Sequence, residues 1–164
     1  MTQSSQLPVI SHPTRLAYAE VAPHTMAALS ALQSVVNKSN IEKPTVELAK
    51  LRASQINGCS FCLDMHFRDA VAAGEQLERL YLLDAWEESP VYTARERAAL
   101  RWTEAVTRLS EGGGVSDEVF AEARREFSEQ ELSELTLALV ATNAWNRFNV
   151  AFRTPPALKD SNHA

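Results

Sequence analysis

Along the chain, apolar residues return at threes and fours with polar positions between them, and strand-like alternation at twos is hard to find. Met26, Leu29, Leu32 and Val36 lay out a first amphipathic helix. A second begins near Pro44, since proline is tolerated in a first turn, and runs to about Ile56. Asn57-Gly58 is its stop signal, because glycine enters the left-handed conformation cheaply. The stretch "CSFCLDMHFRDAVAA" (59–73) predicts the next helix, ended by Gly74, and a short one follows from Leu77 to Trp86 before Pro90. Thr93 with Glu96 writes a capping box, and Ala99, Trp102, Val106 and Leu109 form an apolar stripe behind it. "EGGGVS" then breaks the pattern. Ser116 caps a helix reaching Phe127, and Ser128 with Glu131 writes a second box before a long helix through Phe152. The middle of that last helix, within "LTLALVATNAWNRFNVAF", is apolar on nearly every side, so it is either the central helix of the core or part of a subunit interface. The expected fold class is all-α.

A length of 164 residues supports one hydrophobic core and hence one domain. Residues 1–23, with Pro8, Pro13 and Pro23, read as an irregular N-terminal segment, 24–155 as the helical domain and 156–164 as a tail. The net charge of -5 provides no basic footprint, so neither nucleic acid nor a membrane surface is expected as a partner. No 18-residue apolar run occurs, and the start of the chain lacks the pattern of a secretory signal, so a cytoplasmic protein is expected. The three adjacent glycines lack the Lys-Ser/Thr ending of a phosphate loop and read as a flexible turn.

Chemistry concentrates in "NGCSFCLDMH" (57–66), which holds both cysteines of the chain. On a helix Cys59 and Cys62 share a face at about 5 Å between α-carbons, within reach of a disulfide. Such a bridge closes too small a loop to stabilise the fold much. His66, four residues beyond Cys62, extends the same face. Three uses remain open: redox catalysis, a zinc site on Cys59, Cys62 and His66 with water as fourth ligand, or buried structural thiols. Cys59 is expected in the first turn, where unpaired N–H groups and the helix dipole favour a thiolate, and Cys62 shares part of that field. His66 is spaced to act as general base, directly or through one water. Glu47 is a candidate to orient it, because two antiparallel helices hinged near Gly58 bring position 47 beside positions 66–69. Asp64 and Asp69 read as solvated acids, Ser54, Gln55 and Asn57 as groups satisfied around the turn, and Trp102 and Trp145 as core.

The pattern "ELAKLRASQINGCSFCLDMH" resembles the AhpD-like alkylhydroperoxidase and carboxymuconolactone decarboxylase superfamily, especially its small peroxidase-related members. The family signature is a glutamate twelve positions before a CxxC whose second cysteine is followed four positions later by histidine; Glu47, Cys59, Cys62 and His66 match it residue by residue. "LYLLDAWEESPVYTARERAALRWTEAVTRL" and "LALVATNAWNRFNVAFR" extend the resemblance over roughly residues 15–155. It implies an AhpD-like helical fold that assembles as an obligate oligomer, often a homotrimer or homohexamer. It also implies that Cys62 attacks a hydroperoxide and becomes a sulfenic acid, that Cys59 condenses with it, and that an external dithiol, lipoylated or thioredoxin-like, reopens the disulfide. Glu47 and His66 activate the attacking thiol in this picture, and no metal, flavin or haem is required. The helix dipole alone favours Cys59 as nucleophile; the family order and the spacing of His66 favour Cys62. This chain departs from the best-known peroxidases in carrying Phe61 where they have a histidine. Members that decarboxylate a muconolactone lack the cysteine pair, which makes that activity the weaker family reading. A redox-sensing or assembly protein without significant turnover is the alternative from another functional class, and a zinc-binding module the third.

Overall fold

The computed structural model describes residues 12–157 and is all-α. Among these residues the helices are α1 (Tyr18–Val21), α2 (Pro23–Val36), α3 (Lys43–Ile56), α4 (Ser60–Ala72), α5 (Leu77–Tyr81), α6 (Ala94–Thr107), α7 (Asp117–Glu126) and α8 (Glu129–Phe152). Both expected capping boxes form: the side chains of Thr93 and Ser128 accept from the amides of Glu96 and Glu131, whose carboxylates accept in return from the cap amides. Ser116 caps α7 as expected, accepting from the Val119 amide at 3.3 Å.

Several boundaries differ from the sequence reading. Tyr18–Val21 is helical within the segment expected to be irregular, and Pro23 opens α2; residues 1–11 and 158–164 lie outside the described residues. The helix expected over 77–86 divides after Tyr81 into α5 and a 3₁₀ turn at Leu83–Ala85. Leu80, Leu83 and Trp86 recur at threes, and all are buried, so three residues per turn in this region directs them into the core. Leu109 lies beyond the end of α6 in a 3₁₀ turn and is exposed rather than part of the apolar stripe. The chain there enters Gly112, Gly113 and Gly114, all at positive φ.

The helix at the centre is α3 rather than α8. It packs against α4, α6 and α8, and its residues from Leu48 to Ser54 are all buried. One side meets a cluster with Val36, Ala98, Trp102, Phe127, Leu135 and Leu139; the other meets Leu80, Leu83, Trp86, Tyr92 and Leu100. Lys50 and Arg52 hide this role from a hydropathy reading, because each is buried against acidic partners. Arg52 reaches Glu104 at 2.8 Å and pairs with Asp84, and the Trp86 indole donates to the same Glu104 oxygen at 2.8 Å. Helix α8 buries one stripe through Leu135 and Leu139 and exposes Val140 and Val150. Trp102 is buried as expected, while Trp145 is only half-buried.

Leu139 is fully buried. Leu139→Ala should lower unfolding free energy by about 2–5 kcal/mol, whereas Ser128→Ala, which removes a cap, should cost about 1 kcal/mol. Denaturant titration measures both; equal costs would contradict the placement of Leu139 in the core.

Candidate functional site

The turn between α3 and α4 creates the site. Asn57 ends α3, and Gly58 takes φ 64°. Its amide donates to the Gln55 carbonyl at 3.1 Å, and the Cys59 amide donates to the Ser54 carbonyl, also at 3.1 Å. This is a Schellman closure, in which a left-handed residue lets the chain satisfy the last carbonyls of the helix it leaves. Cys59 is at once the end of that closure and the N-cap of α4, its sulfur accepting from the Cys62 amide at 3.3 Å. It therefore sits one position before the first turn in which the sequence reading set it.

Cys59 and Cys62 are joined by a disulfide, with α-carbons 5.3 Å apart. Both are 1% exposed. One turn further along α4 is His66, also buried, and its Nδ1 stands 3.2 Å from Glu47 Oε2 across the helix pair. The antiparallel path of α3 and α4 thus brings together the residues for which the spacing argued. With Nδ1 donating to the carboxylate, Nε2 is the ring nitrogen left free to take up a proton. In this disulfide form neither sulfur is hydrogen-bonded to His66.

Two further sets of residues belong to the site and were not anticipated. Lys50, one turn beyond Glu47 on α3, pairs with the other carboxylate oxygen at 2.9 Å. Burial works to raise the Glu47 pKa, but the His66 hydrogen bond and the Lys50 charge outweigh it and bring the carboxyl down to about 2. Glu47 therefore stays ionised throughout the neutral range. The second set comes from α8. Asn149 Nδ2 donates to Cys62 Sγ at 3.5 Å, and its Oδ1 accepts from the Tyr18 hydroxyl at 2.8 Å. Asn57 Nδ2 donates to Asn143 and Asn146 at 3.0 and 2.9 Å, and Asn146 Nδ2 donates to Ser54 Oγ at 3.1 Å. Ser54 and Asn57 thus bond across to α8 rather than only around their own turn. Asparagines inside the most apolar window of the chain were the signal for these contacts.

A buried dithiol that closes within one helical turn has two-electron redox chemistry available to it. Among the described residues, no three His, Cys, Asp or Glu side chains converge as a metal-ion site. Asp69 is exposed, whereas Asp64 is half-buried, pairing with Arg68 at 2.8 Å and accepting from the Ala157 amide at 3.0 Å.

The chain and its fold have counterparts among known proteins. The family model described as carboxymuconolactone decarboxylase family matches residues 12–105. The uncharacterized protein YdfG of Bacillus subtilis (strain 168) is 38% identical over 145 residues, covering 88% of this chain and 98% of that protein. The crystal structure of ATU0492, a protein of unknown function from Agrobacterium tumefaciens, superposes with a TM-score of 0.86 at 41% identity, covering 90% of this chain and 100% of the other. An uncharacterized peroxidase-related protein from Silicibacter sp. TM1040 shares the fold, with a TM-score of 0.74 at 17% identity over 92% of this chain and 95% of its own. A single-domain all-α fold of the AhpD-like kind, the cysteine pair it carries and these matches agree: the chain belongs to the carboxymuconolactone decarboxylase family.

Proposed function

We propose that the protein reduces hydroperoxides through its cysteine pair, with Cys62 as the attacking thiol and Cys59 as the resolving one. The observation that carries this reading is the buried Cys59–Cys62 disulfide with a Glu47–His66 pair one turn away. His66 takes the proton of Cys62 through Nε2, directly or by way of a water, and ionised Glu47 stabilises the imidazolium that results. The Cys62 thiolate attacks the terminal oxygen of the hydroperoxide; the O–O bond breaks, leaving a sulfenic acid, and the departing alkoxide takes a proton to become an alcohol. Cys59, as thiolate, attacks the Cys62 sulfur, forms the S–S bond and expels hydroxide, which leaves as water. An external dithiol, lipoylated or thioredoxin-like, then supplies two electrons and two protons and becomes a disulfide itself. No metal, flavin or haem takes part.

The cytoplasm supplies such dithiols and is the proposed setting. Among the described residues, no helix is long and apolar enough to cross a membrane. We further propose that the chain works as a homotrimer or homohexamer. Helix α2 buries only Val36 of its fourteen residues, and the exposed Val35, Val140 and Val150 leave apolar surface for another subunit to cover. Sedimentation should find an oligomer; a monomer at micromolar concentration would contradict this part.

Stopped-flow oxidation of the reduced protein, followed by intact mass, tests the chemistry without any recycling partner. Cys62→Ser should abolish sulfenic-acid formation, and Cys59→Ser should permit it while blocking the disulfide. Trapping the acid on Cys59 instead would reverse the roles, and no oxidation of the wild type by hydrogen peroxide or an organic hydroperoxide would remove the proposal. Reversible oxidation that changes assembly without consuming peroxide would favour the sensor. His66→Ala should slow single-turnover oxidation by about 10²-fold or more while the protein stays folded. Glu47 adds a pH signature. Its folded pKa lies below its ordinary value of 4.5, so its contribution to stability is complete above that value and is lost as pH falls towards about 2. Acid unfolding of the wild type and Glu47→Gln should therefore converge over that interval; a constant difference would contradict the ion pair.

A further inference from the structure

The side chain that hydrogen-bonds to the Cys62 sulfur is neither His66 nor Glu47 but Asn149, whose Nδ2 lies 3.5 Å from Sγ. Asn149 is 4% exposed, and among the described residues this sulfur is the acceptor its amide group finds. A neutral disulfide is a poor acceptor, whereas a thiolate is a strong one, so a buried donor aimed there matches the reduced state better than the oxidised one. The direction of the amide is fixed from behind. The Tyr18 hydroxyl donates to Asn149 Oδ1 at 2.8 Å, which turns the NH₂ group towards the sulfur. Tyr18 is itself held: its ring lies 5.3 Å from that of Phe148 and 5.6 Å from that of Phe152, centroid to centroid. Just before it, Arg15 ties the incoming chain to the end of α8, its amide donating to the Phe152 carbonyl at 2.9 Å and its Nη1 to the Ala151 carbonyl at 3.2 Å.

We propose that Asn149, oriented by Tyr18, is the hydrogen-bond donor that stabilises the anionic sulfur of reduced Cys62 and thereby sets its acidity. This inference rests on Cys62 being the attacking thiol. It assigns Asn149 to the reacting atom itself and Tyr18 to positioning. The titratable groups of the site described above are Cys59 at the N-cap, His66 on the next turn of α4, the Glu47–Lys50 pair on α3 and the Tyr18 phenol; from α8 the sulfur receives a neutral amide. A base removes the proton, but an amide donor is needed to hold the charge that remains once water is excluded.

The test uses full-length protein carrying Cys59→Ser, in which Cys62 is the single thiol and serine keeps the N-cap. The rate of alkylation by iodoacetamide against pH reports the acidity of that thiol. Asn149→Leu removes the donor without adding charge; Asn149→Asp still accepts from Tyr18 but presents no N–H to sulfur. Both should raise the apparent pKa of Cys62 by about one unit or more, cutting the thiolate fraction near neutral pH about tenfold. Tyr18→Phe should move it the same way by a smaller amount. Circular dichroism establishes that each variant is folded; if Asn149→Leu is not, Tyr18→Phe carries the test. Unchanged titration in the folded variants overturns the inference even if peroxide still oxidises Cys62. Conversely, a shifted titration in a protein whose wild type ignores peroxide would uphold the donor and remove the peroxidase reading.

Discussion

One turn of backbone controls the whole site. Gly58 closes α3 in the left-handed conformation, and the residue after it begins α4 with its sulfur as the cap. A side chain at Gly58 would meet open space, so the constraint is conformational rather than steric. From that single reversal follow the antiparallel path of the two helices, the approach of Glu47 to His66 and the depth at which both sulfurs lie. A cap built from cysteine is a weaker acceptor than serine or aspartate, and the cost is accepted at a position whose sulfur has another use.

Around this reversal, the central helix carries buried charge in matched sets. Lys50 sits against Glu47, and Arg52 against Glu104 and Asp84. Pairs of this kind gain little net stability once desolvation is counted, but losing one member strands the other. Glu47 thus meets Lys50 on its own helix and His66 on α4 at once. The apolar contacts on both sides of α3 supply the stability.

Much of this was legible from residue order. Helix ends were written in Thr93-Glu96, Ser116, Ser128-Glu131 and Gly58, because capping is local chemistry. The meeting of Glu47 with His66 was legible because a short hinge between two helices leaves little freedom in their alignment. What could not be read were contacts made across the fold. Lys50 and Arg52 look like solvent-facing positions until their acidic partners are known, so the pattern alone does not mark α3 as the centre and leaves the more apolar α8 as either core helix or subunit interface. Asn149 sits 87 residues from Cys62, and nothing local distinguishes it from Asn143 or Asn146. Tyr18 fell within a proline-containing segment whose order depends on the end of α8.

The α-carbons of Cys59 and Cys62 stand 5.3 Å apart when bonded, about the separation that a helix start already imposes on residues three apart. Backbone geometry thus holds the two α-carbons at bonding reach by itself. Proximity here is a property of the helix start, supplied by the chain reversal that precedes it.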